Sequence, residues 1–202
     1  MKAAILAALA ATAIAGAGPA AAAAPNLLNN GDFEQSIGNV SDGGYATVGA
    51  GAGTITGWTV GATSVDLIRN NYGAINSVSV DLGGSPGPGS LTQSFATTVA
   101  QTSRLDFDYF FNGGGFPLYV SFGTNNATYS VVPSSATHAF LTMTANSSSS
   151  SVSFTHTFAG NSGPVIDNVS VTAVPEPESY AMLMAGLGAL GFMSRRRARK
   201  QA

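Results

Sequence analysis

The 202-residue chain predicts an all-β domain, a sandwich or a barrel, set between two apolar ends. Three observations carry that expectation. From Pro25 to Val174 no stretch repeats apolar residues at i, i+3, i+4 and i+7 over three turns. What recurs there is short, β-branched and aromatic, with period two, broken by Gly, Asn, Ser and Pro. Charged residues make up only 9% of the chain, against roughly 25% in ordinary domains. The composition also excludes classes. Hydrophobic residues at 45% exclude a highly charged disordered chain. The absence of Cys excludes a disulfide scaffold and a cysteine-ligated metal. A net charge of -2 excludes a basic nucleic-acid binder.

The first element is Met1-Lys2, an apolar run from Ala3 to about Ala15, and an alanine tract to Ala24. One positive charge, a short apolar run and several Ala-x-Ala triplets make residues 1–24 a secretory signal peptide, cut near Ala23. The run is too short for the ~20 residues of a membrane span.

Ten strands follow. They are expected at Thr54–Val60, Ser64–Arg69, Ser77–Leu82, Ser90–Ala96, Arg104–Phe111, Leu118–Gly123, Ala127–Val132, His138–Thr144, Ser151–Phe158 and Val165–Val171. Turn signals separate them: the Gly/Pro run 83–89, Asn112 to Gly115, Asn125-Asn126, and Asn146 to Ser151. The serine run Ser147–Ser151 reads as a hairpin loop, because alternation resumes directly after it. In that next strand Val152, Phe154, His156 and Phe158 share one face. A turn every 8 to 12 residues fits a sandwich or a barrel.

The last element, residues 174–202, holds Pro175-Glu176-Pro177, the apolar run Tyr180 to Met193, and the basic residues Arg195, Arg196, Arg197, Arg199 and Lys200. The 14-residue run would be ~21 Å long as a helix, marginal against a bilayer core of ~30 Å. The expectation is a short transmembrane helix over about 180–193, with the basic cluster kept cytoplasmic. Motif, apolar helix and Arg-rich end, in that order, resemble the PEP-CTERM sorting signal. The resemblance implies recognition by an exosortase at the inner membrane of a polysaccharide-producing Gram-negative bacterium. It implies export to the envelope or a biofilm matrix.

Without its signals the domain holds only Arg69 and Arg104 against eight acids, a net charge of -6. Such a domain does not bind polyanions without a bridging cation, and it suits calcium, a hard ion with oxygen ligands. Its opening, Asn29-Asn30-Gly31-Asp32-Phe33-Glu34, and its close, Asp167-Asn168-Val169, resemble jelly-roll domains of the galactose-binding type. These include carbohydrate-binding modules and extracellular domains of the DUF642 type. The resemblance spans residues 25–173 and implies a jelly-roll β-sandwich. It further implies a structural Ca2+ held by Glu34 and Asp167, where the two ends meet. Carbonyls near Gly31 or Asp32 would complete the site, with Asp66 and Asp81 as weaker additions. The alternative is that both residues are ordinary hydrogen-bonded end residues.

No catalytic constellation stands out. There is no Gly-x-Ser-x-Gly elbow and no His-Glu-x-x-His. His138 and His156 read as packing residues on strands. Asp106 and Asp108 share a strand face, read as solvent-exposed, with Leu105, Phe107 and Tyr109 turned inward. Sugars are gripped by aromatic faces with polar groups beside them. Tyr45, Tyr72, Tyr109, Phe116 and Tyr119 are candidates, whereas Trp58 reads as core. Tyr72 and Phe116, both in loops, are the preferred contacts. The reading is a non-catalytic, exported carbohydrate-binding domain associated with extracellular polysaccharide. The alternatives are a structural or adhesive matrix protein without a sugar site and, less favoured, a glycan-active enzyme.

Overall fold

The computed structural model describes residues 24–113, 117–130, 135–175 and 177–198. Residues 1–23 of the expected signal peptide, Phe116, Glu176, Arg199 and Lys200 lie outside the described residues. Among the described residues eleven strands form two antiparallel sheets, a jelly-roll β-sandwich. One sheet holds six strands in the order β1 (Tyr45–Gly49), β3 (Ser64–Arg69), β4 (Val78–Asp81), β11 (Pro164–Ala173), β6 (Thr102–Phe111) and β9 (Thr137–Thr144). The other holds five: β2 (Thr59–Ala62), β5 (Gly89–Ala96), β10 (Ser149–Thr155), β7 (Leu118–Phe122) and β8 (Asn125–Tyr129).

Alternation explains the layering. On β6 Leu105, Phe107, Tyr109 and Phe111 are buried, while the residues between them are half-buried on the outer face. Phe107 meets Phe154 of β10 edge-on across the sandwich, with ring centroids 5.1 Å apart. Such aromatic pairs add about 0.5–1.5 kcal/mol beyond the area they bury. Trp58 lies inside as expected, its ring 6.3 Å from Phe154 and 5.6 Å from Phe33.

The opening segment is docked rather than loose. Leu27 N donates to Val171 O at 2.8 Å, and Val169 N donates to Gly31 O at 2.8 Å. Gln93 clamps Asn29 from both sides, accepting from its N–H at 2.6 Å and donating to its carbonyl at 2.9 Å. Phe33 then plugs the core, fully buried, in a left-handed conformation of φ 57°. A bulky residue adopts that conformation only when its surroundings over-determine it.

Several expectations need correction. β1 was not anticipated, and Thr54–Trp58 forms turns before β2 instead of extending it. A 3-10 helix at Glu34–Asn39 stands in a region where no helix was expected. Asn125 and Asn126 lie inside β8, and the two-residue loop Gly123-Thr124 makes the hairpin with β7. The serine run is not a hairpin loop. Ser149 already belongs to β10, whose neighbours are β5 and β7, so the chain crosses from one sheet to the other between Thr144 and Ser149. His156 is core, but Phe158 lies beyond the end of β10 and is exposed.

The C-terminal helix, α1, runs Pro177–Ala198. Residues 181–193 are exposed on every side. Among the described residues no helix is long and apolar enough to cross a membrane. That corrects the expected transmembrane helix. Only 14 of its residues are uniformly apolar, and arginines fill its last turn.

Gly31 tests the docking of the opening segment. A Cβ there would meet the Val169 carbonyl oxygen at 1.8 Å. Gly31→Ala should therefore lower Tm by about 5–15 °C, whereas Gly49→Ala, with open space around it, should change stability by less than about 0.5 kcal/mol. Equal melting of the two variants would show that the opening segment is dispensable.

Candidate functional site

Asp66 of β3 and Asp81 of β4 sit directly opposite each other across the two strands. Their neighbours Val65, Leu67, Val80 and Leu82 fill the core, so both carboxylates take the outer face. Opposed residues on one face stand with Cβ atoms about 4.5–5.5 Å apart, and like charges placed so are destabilising. Both are nonetheless buried, Asp66 to 5% exposure and Asp81 to 2%.

Loops make the pair tolerable. Asp66 accepts from Ser85 N at 3.2 Å and from Ser85 Oγ at 3.1 Å. Asp81 accepts from Gly83 N at 2.7 Å and from Asn112 Nδ2 at 3.0 Å. Burial still pushes the Asp81 carboxyl up to about 6, with a smaller push from Asp66, against the pull of those bonds.

Two tyrosines close one side. Tyr45 and Tyr72 are 52% and 45% exposed, and their rings meet edge to face at 5.5 Å. The Tyr72 loop is strained and tied down. Tyr72 has φ 55° and Gly73 φ 81°. Asn71 Oδ1 accepts from Tyr72 N at 2.8 Å, and Asn71 Nδ2 donates to Gly43 O at 3.1 Å. Strain of this kind persists where the surroundings enforce it, often at binding sites. Together with buried Ile68 and the rim residues Asn161 and Ser162, these groups line a cleft of about 210 Å³. Among the described residues no basic side chain lines it.

Glu34 and Asp167 are brought together at the other end of β4. Glu34 Oε1 accepts from Val78 N at 2.9 Å. Asp167 is fully buried, and accepts from Ser79 Oγ at 2.9 Å and from Asn168 N at 2.7 Å. Burial first, and the Glu34 charge to a lesser degree, push Asp167 up to about 7. The bulge that shifts register between Asp167 and Ser170, with Asn168 at φ 51°, places these groups.

The remaining expected residues separate. Tyr109 is core, and Tyr119 is exposed on the five-stranded sheet, away from the cleft. Phe116 lies outside the described residues. His138 is not a packing residue. It is exposed, with Nδ1 3.0 Å from Asp108 Oδ1 and Nε2 3.1 Å from Asp106 Oδ1. The Asp108 hydrogen bond, then that of Asp106, raises its pKa. Asp106 also takes a two-pronged bond from Arg104, so this outer face pairs its charges. Asn112, Asn161, Ser85 and Ile68 were missed in the sequence. Only the repeated Ser-Val-Asp-Leu at residues 64–67 and 79–82 signalled the acid pair.

Fold and cleft together define a jelly-roll domain with a small acidic pocket edged by tyrosines. A family model described as a protein of unknown function, DUF642, matches residues 26–172. The chain belongs to that family. A second model, the PEP-CTERM protein-sorting motif, matches residues 173–197, and marks an exported protein processed by an exosortase. Halomucin of Haloquadratum walsbyi (strain DSM 16790 / HBSQ001) is 34% identical over 170 residues, 79% of this chain. The chain spans only 2% of halomucin's length. Among solved structures, an arabinose-bound α-L-arabinofuranosidase, MgGH51, matches with TM-score 0.51 and 16% identity, over 75% of this chain and 27% of that one. A family 16 carbohydrate-binding module matches with TM-score 0.47 and 16% identity, over 73% of this chain and 99% of that one.

The acid pair predicts a pH dependence. Folded Asp81 holds its proton up to about 6, whereas the unfolded chain releases it near 3.8. Between those values the folded state binds more protons, so stability falls as pH rises through the window. The loss attributable to Asp81 is about 3 kcal/mol at most. The chain should melt higher at about pH 5 than at about pH 8, and Asp81→Asn should reduce that slope. An unchanged slope in the variant would show that Asp81 is not the group responsible.

Proposed function

We propose that this exported protein binds carbohydrate non-catalytically through the Tyr45/Tyr72 cleft, in association with extracellular polysaccharide. The observation that carries the reading is the cleft itself. Two exposed aromatic rings stand beside buried polar groups that are already oriented by neighbours. Sugar binding asks for that combination: apolar contact with ring CH groups, and hydrogen bonds to hydroxyls. The strained, tethered Tyr72 loop lowers the ordering cost of binding. Both acids are occupied in bonding Ser85, Gly83 and Asn112, which fits binding better than proton transfer.

The test is a titration of the full chain, purified in detergent, against the producing organism's own extracellular polysaccharide. Saturable binding is expected. Tyr72→Ala should weaken it at least about tenfold, or ~1.4 kcal/mol. No binding by a folded chain would overturn the proposal in favour of a purely structural matrix role.

A structural calcium at Glu34 and Asp167 belongs to the same proposal. The donor set suits a hard ion: the Glu34 carboxylate stands close enough to disfavour the charge of Asp167, with the Ser79 hydroxyl between elements. Among the described residues no third acidic or histidine side chain joins them, so backbone carbonyls would supply the other ligands. A cation there would tie the opening segment to β11 and β4. Calcium at about 100 times its Kd should add about 2.7 kcal/mol of stability. That corresponds to a rise in Tm of about 5–10 °C. A chelator should reverse the rise, and Asp167→Asn should remove the response. A melting curve indifferent to both calcium and chelator would leave the pair as hydrogen-bonding posts.

A further inference from the structure

The cleft also carries information about which sugar it takes. We infer that it selects a single sugar residue bearing a free amine, a de-N-acetylated hexosamine, over neutral, N-acetylated and acidic sugars. This rests on the reading of the cleft as a carbohydrate site and sharpens it.

Size sets the first limit. About 210 Å³ is below the ~300–1,000 Å³ of pockets for drug-sized ligands, so one ring enters, not a run of several. Charge sets the second. Among the described residues, the ionisable side chains lining the cleft, apart from the tyrosines, are two carboxylates. Neither of the domain's two arginines is among the residues lining the cleft. Arg104 binds Asp106, and Arg69 lies 3.7 Å from Asp42. A uronic acid would bring a third carboxylate against a buried pair that nothing cationic offsets.

An ammonium reverses that balance. It is a compact charge with three donors. Asp66 spends two acceptor positions on loop donors, and Asp81 spends two on Gly83 and Asn112 and a third on the Gly163 backbone, of about four that a carboxylate offers. Open positions therefore remain on both acids for a shared donor. Charge-assisted bonds of this kind are about twice as strong as neutral ones. The tyrosine faces add attraction for a cation within about 6 Å of a ring. An N-acetyl group would remove the charge and add bulk in a small space.

The test uses small probes, so that the general negative charge of the domain cannot mimic selectivity through a polycation. The full chain in detergent is titrated by NMR, near pH 7, with methyl glycosides of glucosamine and galactosamine. The N-acetylated forms, methyl glucoside and methyl glucuronide are titrated alongside. At about pH 7 most of such amines are charged. The expected result is saturable binding of a free-amine sugar at least tenfold tighter than its N-acetylated and neutral counterparts, with the glucuronide weakest. Asp66→Asn should abolish the preference, while Asp32→Asn, an exposed acid outside the cleft, should leave it intact. Asp81→Asn serves if the first variant does not fold. Equal or tighter binding of a neutral or acetylated sugar would overturn the amine preference and leave the cleft a sugar site. Equal loss of preference in Asp32→Asn would reduce it to general attraction and overturn it too. Failure of every sugar to bind would overturn the reading of the cleft, and this inference with it.

Discussion

The structure depends on how residues 26–34 close onto the last strand. β11 sits in the middle of the six-stranded sheet, paired with β4 on one side and β6 on the other. Its ladder is interrupted at the bulge near Asn168. On the other side β4 reaches only Val165 and Ile166, so the backbone groups of Val169 and Val171 that face away from β6 need other partners, and the opening segment supplies them. Gly31 O takes the Val169 N–H, and Asn26 Oδ1 takes the Val171 N–H at 2.9 Å. The same segment delivers Phe33 to the core and lends its Asn30 carbonyl to the Trp58 indole N–H at 3.0 Å. One short peptide thus satisfies the central strand and completes the aromatic cluster. That accounts for the Asn-Gly-Asp-Phe-Glu run. Gly gives the close approach, Phe the plug, and Glu reaches the start of β4.

The cleft shows the opposite economy. An acid pair opposed on two strands weakens a sheet, and the outer face of β3 and β4 has no packing reason to hold carboxylates. Their bonds run to the loops around Ser85 and Asn112, and those loops approach closely because glycines line them. A Cβ on Gly83 would meet the Ser162 carbonyl carbon at 2.3 Å, and one on Gly84 the Ser64 carbon at 2.5 Å. The acids therefore organise the rim, and the rim buries the acids. The arrangement raises the cost of the Asp81 charge while fixing the direction of both carboxylates, which is what a preorganised polar site requires.

Much of this was legible from residue order, and the limits have physical causes. β6, with one buried face, announces itself by strict alternation, and its ends fall within two residues of expectation. β1 did not, because Tyr45-Ala46-Thr47-Val48-Gly49 buries only Val48. Ser149–Ser151 was misassigned because serine is a turn former that here lies in a strand held by backbone pairing to β5. Asp66 and Asp81 were legible as strand carboxylates, but their pairing depends on register, which no local pattern fixes. Asn112 and Asn161 come from loops far apart in sequence, so their place in one cleft follows only from the closure of the sandwich.

The acidity of the domain then fits a single logic. With no disulfides and few charges, the fold relies on a continuous aromatic and aliphatic core and on backbone pairing. Outer faces made of Ser and Thr leave few fixed cations to compete for the cleft. His138 and Arg104 are committed to Asp106 and Asp108 on the far strands of the same sheet. Arg69, on β3 itself, lies 3.7 Å from Asp42 and is not among the residues lining the cleft, so among the described lining residues the two carboxylates face no basic side chain. A surface of that kind repels acidic polymers and concentrates cationic ones. On the proposed reading, selectivity for a partner begins with that repulsion, before any contact is made, and the buried pair at the cleft floor turns a diffuse preference into a local one.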